Sequence, residues 1–462
     1  MKPDSHVDTP VSGKNIAQTF VTSKVTRCLL EWRLFFSLAI CATIFYLQFL
    51  ANANPESYSV GYDRWTGLAN HCSDAQPING SEILQRQENL AKILYDNGAS
   101  AYIAEPGANA QYFGNISEAT WHLSERPLLL IIFPILEEAN IVAKVTVITP
   151  AFEETRARRL SVPGIEVSYV SWAEDEDPYT VALHALSALE LEGPIYVDGM
   201  MRYFIVDGLQ KAAPGVRIMS APPEVTQLRA RKSQAELDLL RCANEVTLLC
   251  IRAVQAQMYI GIRESQVRAM IDEALAAAGL TERWALVLFG ENAALPHGSG
   301  SDRTLDKADF ILIDAGGRLF EYNSDVTRTF VLHDSSIPLE HTTIWYDVHV
   351  AQTLAHAAAR EGANTSAVDK AARDWLDGRG YKGYFTHRLG HGIGLEDHEA
   401  PYLRGGTDDT IRTGNAFSNE PGIYIEGKVG IRLEDCFYIN GDGNSVFLTK
   451  GVGGQALSPL YP

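Results

Sequence analysis

Three stretches of the chain concentrate side chains able to hold a cation. In Lys307 to Leu332 (KADFILIDAGGRLFEYNSDVTRTFVL) the apolar run Phe310 to Ile313 delivers Asp314 at its end. Gly316-Gly317 is expected to turn the chain, and Asp325 follows eleven residues after Asp314. The second stretch, Gly390-His391-Gly392-Ile393-Gly394, has His387 four residues before His391 and His398 seven after it. Histidines among glycines, which let backbone approach closely, suit a metal or a reacting oxyanion. The third runs from Asn419-Glu420-Pro421 to Arg432-Leu433-Glu434. A hairpin centred on Gly427 places Glu420 opposite Glu434, each seven residues from the centre. Opposed like charges on adjacent strands are destabilising unless something positive lies between them. Alternation puts Arg432 on the face of Glu434, where it answers one glutamate and leaves the other unpaired.

Taken singly, each stretch also has an ordinary reading: solvated aspartates at a turn, a polar histidine loop, a salt-bridged hairpin. Taken together, Asp314, Asp325, His391, Glu420 and Glu434 supply four carboxylates and one imidazole. That set suits two hard or borderline divalent cations, manganese above zinc, because oxygen dominates and no CxxC pair offers thiolates. Two such ions hold a hydroxide and polarise a carbonyl, so amide hydrolysis is the natural reaction. His341, His349 and His356 lie along an alanine-rich helical stretch with no acidic cluster beside them and read as structural.

The elements that must position these groups fall into two folded segments. Ser81 to Asn97 is an expected helix stopped by Gly98, and Leu128–Phe133, Val145–Ile148, Ile165–Val170 and Ile195–Val197 are expected strands, with Pro178 to Leu191 helical. This alternation predicts an α/β N-terminal domain over 54–223, with no glycine-rich phosphate loop and no histidine cluster. Ala221-Pro222-Pro223 ends it, and an α+β catalytic domain follows over 224–462. Its first helices are expected over Ser233–Ala256 and Glu264–Ala278. Cys242 and Cys250, eight apart on the former, read as buried free thiols.

The whole chain has 462 residues, 46% hydrophobic and 21% charged, as an ordinary globular protein has. Asp and Glu outnumber Lys and Arg by 57 to 39, a net charge of −18, which opposes nucleic acid as a partner. Residues 1–53 are expected to be a cytosolic tail followed by a membrane anchor or signal. Leu34 to Leu50 is uncharged, and Lys2, Lys14, Lys24, Arg27 and Arg33 precede it. The long stretch before the run favours a single-pass anchor with a lumenal or extracellular body; a cleaved signal at Ala51-Asn52-Ala53 and a secreted protein is the alternative. The sequons at Asn79, Asn115 and Asn364 suit a glycoprotein facing that way.

At the residues described first, the sequence resembles the pita-bread metallopeptidases, in the branch of Xaa-Pro aminopeptidases and Xaa-Pro dipeptidases (prolidases) that also contains creatinase. The resemblance covers roughly residues 81 to 455 and is strongest from Val225 on. It implies a creatinase-like N-terminal domain before a pita-bread catalytic domain. It further implies that Asp314 is a ligand of one ion, His391 and Glu420 of the other, with Asp325 and Glu434 bridging. Glu420 would also shuttle a proton, His297 and His398 would be catalytic histidines with His398 steadying the scissile carbonyl, and His387 and Arg432 would bind substrate. Asp397 departs from the pattern, standing where the family usually has an apolar residue. The implied activity is that of a metallo-aminopeptidase or dipeptidase cleaving between an N-terminal residue and proline. An amidohydrolase acting on a small non-peptide amide, or a silent binding protein on the same fold, are the other readings. The expected partners are a peptide or small amide substrate, a second copy of the chain in a homodimer, and a membrane through the N-terminal segment.

Overall fold

A computed structural model describes residues 65–186 and 192–462. Its N-terminal part is built on six strands: β1 (Ala101–Ala104), β2 (Leu129–Glu137), β3 (Asn140–Pro150), β4 (Val167–Trp172), β5 (Ile195–Val197) and β6 (Ile218–Ser220). They lie in the order β4-β3-β2-β1-β5-β6, with β1–β2 and β2–β3 antiparallel and the other neighbours parallel. Alternation along the strands gives the sheet two apolar faces. Tyr102, Leu130 and Ile132 join the core with Leu90 and Leu94 of the helix Gly80–Asp96. Ala101, Ile103, Leu129 and Ile131 join Leu183, Ile205 and Leu209 from the helices Pro178–His184 and Tyr203–Ala212.

The C-terminal part begins with the long helix Gln234–Gln255, started by a capping box in which Ser233 and Glu236 bond reciprocally. This helix packs against β8 (Ile311–Leu319) and β9 (Tyr322–Phe330), which with β7 (Thr281–Phe289) form an antiparallel sheet in the order β7-β8-β9. A second sheet has the order β11-β10-β12-β15-β16, from β10 (Gly390–Gly392), β11 (Glu399–Leu403), β12 (Ala416–Asn419), β15 (Asp435–Ile439) and β16 (Ser445–Phe447). The hairpin of β13 (Gly422–Ile425) and β14 (Val429–Arg432) extends from it. The helix Leu339–Ala358 covers β12, β13 and β14 and shares a core with the helix Thr365–Leu376.

Several expectations change here. Gly316 and Gly317 do not turn the chain: β8 runs on through them to Leu319, and the turn falls at Phe320 and Glu321, whose φ values are 48° and 71°. Gly316 is needed for closeness instead, because a Cβ there would meet the Ser324 carbonyl oxygen at 2.0 Å and the Trp284 ring at 2.8 Å. Cys242 is not a free thiol; it is disulfide-bonded to Cys72, 170 residues earlier, while Cys250 and Cys436 are free and buried.

The single-pass membrane placement with a lumenal or extracellular body is also corrected. Among the described residues no helix is long and apolar enough to cross a membrane. The longest, Gln234–Gln255, carries Glu236, Asp238, Arg241, Glu245 and Arg252. The apolar run Leu34–Leu50 lies outside the described residues. The sequon asparagines that supported the placement sit at helix ends, where Asn is favoured for local reasons. Asn79 accepts from the Glu82 N–H at 2.8 Å, Asn115 is a left-handed C-cap and Asn364 is an N-cap.

Candidate metal centre

Strand register assembles the acidic groups. Asp314 pairs with Thr327 and Gly316 with Asp325, so both aspartates project from one face of β8–β9 at neighbouring positions. The hairpin pairs Gly422 with Arg432, and the β12–β15 ladder pairs Asn419 with Asp435. Both ladders count to the same centre at Gly427, which leaves Glu420 and Glu434 facing each other between them. His391 sits in the middle of β10, beside β12, with its N–H donating to Ser418 Oγ at 3.1 Å. The strands close tightly there: a Cβ on Gly390 would meet the Ser418 carbonyl oxygen at 2.1 Å.

All five of these groups line one cavity of about 1000 Å³, together with His297, His387, His398 and Arg432. Every site residue singled out in the sequence is therefore brought to one place. Within it, donor atoms of His391, Glu420 and Glu434 lie within 4.8 Å of one another, as do those of Asp314, Asp325 and Glu434. The two groups share Glu434, the pattern expected of two adjacent cation positions. Asp325, His391 and His398 form a third such group, so proximity alone would also admit His398 as a ligand. Asp314 Oδ1 and Asp325 Oδ1 are buried without a hydrogen-bond partner, which is costly for a carboxylate unless a cation completes it. His391 Nδ1 is 3.1 Å from the Gly392 carbonyl. That oxygen can only accept, so Nδ1 carries a proton and Nε2 is the atom that faces Glu420 at 3.3 Å and Asp325 at 3.5 Å. Against burial, Glu420 and Glu434 hold the ring's pKa up, so without metal Nε2 donates to Glu420, and a cation would take that proton's place. These features fit the residues to divalent metal.

The electrostatics agree. Burial, reinforced by Asp397, Asp314 and Glu420, pushes the Asp325 carboxyl well above the ordinary carboxylate range. Burial with Asp325 and Glu420 does the same to Glu434. Glu420 goes the other way: burial would raise it, but the hydrogen bond and charge of His391, then His387 and Arg432, bring it down to about 2. Burial and the neighbouring His391 lower His398 to about 4, so its ring is neutral near pH 7. So many carboxyls cannot all ionise side by side without a compensating positive charge.

The surroundings correct one pairing. Arg432 bonds Asp314 Oδ2 through Nη2 at 2.5 Å rather than either glutamate, and its Nε donates to Thr327 Oγ1 at 3.1 Å. Thr327 in turn donates to Glu434 Oε2 at 2.7 Å. Tyr424 OH donates to His387 Nε2 at 2.8 Å and accepts from Arg432 Nη1 at 3.1 Å. Neither Thr327 nor Tyr424 was singled out in the sequence, although alternation would have found both: Thr327 lies two residues from Asp325, and Tyr424 shares a hairpin face with Arg432. Trp284, Arg388 and Arg404, also in the lining, come from separate segments and carry no local signal.

A two-domain creatinase-like pita-bread fold with a carboxylate-rich centre defines a class, and comparison with known proteins identifies it. Residues 238–441 match Metallopeptidase family M24 and residues 86–231 match the Creatinase/Prolidase N-terminal domain. The chain belongs to the M24 metallopeptidases. An uncharacterized peptidase of Schizosaccharomyces pombe is 37% identical over 427 residues, 90% of this chain and 92% of its own length. The crystal structure of dipeptidase PepE from Mycobacterium ulcerans superposes with a TM-score of 0.72 at 30% identity, covering 81% of this chain and 97% of that one. A prolidase of Thermococcus sibiricus gives 0.68 at 26%, covering 81% and 98%.

Proposed function

We propose that this chain hydrolyses the peptide bond between an N-terminal residue and proline, using two divalent ions held by Asp314, Asp325, His391, Glu420 and Glu434. The observation that carries the reading is the pair of three-donor groups sharing Glu434. Oxygen donors dominate both, which favours manganese over zinc. Two divalent ions bound there would lower the pKa of water and polarise a carbonyl. Glu420, held ionised, takes a proton from the attacking water and passes it to the departing nitrogen. His398, neutral, donates its N–H to the carbonyl oxygen as negative charge develops on it. His297 borders the same cavity, and the His387–Tyr424–Arg432 chain orients the substrate. Trp284, Leu286, Leu295 and Pro296 supply an apolar wall suited to a proline ring, and the structurally similar Thermococcus sibiricus protein is a prolidase.

Metal analysis of the purified protein, beside cleavage of Xaa-Pro dipeptides and longer Xaa-Pro peptides, tests the proposal. Two ions per chain and a preference for proline over alanine in the second position are expected; equal cleavage of Xaa-Ala would remove the proline assignment. His398→Ala should slow turnover by about 10²–10³ while retaining both ions.

A further inference from the structure

Asp397 lines the metal cavity beside His398. Its side chain is 35% exposed, yet Oδ1 is buried without a hydrogen-bond partner. Among the described residues, the other cavity carboxylate oxygens in that condition are Asp314 Oδ1 and Asp325 Oδ1, and both of those residues belong to groups of three converging donors. Asp397 belongs to no such group, so its vacancy is not part of the metal positions. The basic groups nearby do not fill it: His391 Nε2 faces Glu420 and Asp325 instead. His398 Nε2 stands 4.0 Å from Oδ2. Arg318 donates to Asn323 Oδ1 at 3.2 Å and pairs with Glu321 at 3.9 Å. Arg388 and Arg404 both stack on the Tyr402 ring.

A carboxylate oxygen kept buried and unpaired costs free energy that a charged donor returns when it arrives. We propose that Asp397 is a specificity-determining residue that selects substrates presenting a cationic nitrogen, an amino terminus or a basic side chain, to this side of the cavity. The inference rests on the reading above in that substrate enters this cavity and metal is held by the grouped donors.

Binding of lysine amide, norleucine amide and hexanamide to the metal-loaded protein, measured by calorimetry, tests it. These probes carry two, one and no cationic nitrogens. The expected result is that Asp397→Val and Asp397→Asn weaken a cationic probe by about tenfold or more and leave hexanamide unchanged. Loss for lysine amide alone assigns the contact to a side chain; equal loss for lysine amide and norleucine amide assigns it to the amino terminus. The proposal is overturned if neither variant changes any probe, if all three probes weaken together, if the unaltered protein binds lysine amide no better than hexanamide, or if the variants lose metal. Lys-Pro hydrolysis by the unaltered protein is followed in parallel; its absence would count against the proline reading while leaving the amide comparison intact.

Discussion

Strands β2 and β9 are buried for opposite reasons. Leu129 to Ile132 of β2 are buried and wholly apolar, so their place follows from transfer out of water. All of β9 is buried too, yet it reads YNSDVTRTF and encloses Asn323, Ser324, Asp325, Thr327, Arg328 and Thr329. Most of its polar groups are satisfied one by one. Asn323 bonds the Gly394 carbonyl, Ser324 meets Thr247, and Thr329 donates to the Arg432 carbonyl. Arg328 donates to the Glu434 carbonyl at 2.6 Å and to Asp435 Oδ1 at 2.7 Å. Among the side-chain atoms of β9, Asp325 Oδ1 and Arg328 Nε remain unpaired. Apolar burial builds a fold wherever it occurs, whereas polar burial persists only around a complete network, and its gaps point to what the network is for.

That contrast can be broken experimentally at several strengths. Asp325→Asn or Glu434→Gln should abolish activity and weaken metal binding together, since each carboxylate serves two donor groups; normal turnover with two ions bound would refute the assignment. Arg328→Met should cost about 3–5 kcal/mol in urea unfolding, because Asp435 keeps its buried charge and loses its ion pair.

Metal removal should show a pH signature. Asp325 and Glu434 have raised folded-state pKa values, so the metal-free native state binds more protons than the unfolded chain above about pH 4, and its stability falls as pH rises. Bound ions displace those protons. The gap in Tm between loaded and dialysed protein should therefore widen from pH 5 to pH 8, and a constant gap would argue against these carboxyls as ligands. Smallest of all, Ile131→Val in β2 should cost about 0.5–1.5 kcal/mol and leave metal content and turnover untouched.

The parts legible in the sequence were those governed by period and symmetry. Counting from Gly427 gave the opposition of Glu420 and Glu434 because strand register is counted in single residues. The expected helix Ser233–Ala256 differs from the observed Gln234–Gln255 only at its ends, where Ser233 proved to be the cap. Long-range closeness was not legible. Nothing local at Gly316 distinguishes a glycine that turns from one that lets a strand pass under Trp284. Nor did Cys242 reveal its partner, since the 170 residues to Cys72 lie across the fold. The pairing of Arg432 with Asp314 was hidden for the same reason: period two gives the face and not the neighbouring sheet.

The shared centre of the two ladders also fixes where this chain tolerates insertions. The tip beyond the Ile425–Val429 pair is open, with Glu426 to Lys428 exposed and no neighbouring atom within 4 Å of a Cβ on Gly427. Added residues there lengthen a loop and leave every opposed pair as it was, so a tag or fluorescent label can be spliced in at the tip. A single codon added between Arg432 and Glu434 has no such outlet, because Gly422–Arg432 on one side and Asn419–Asp435 on the other are both paired.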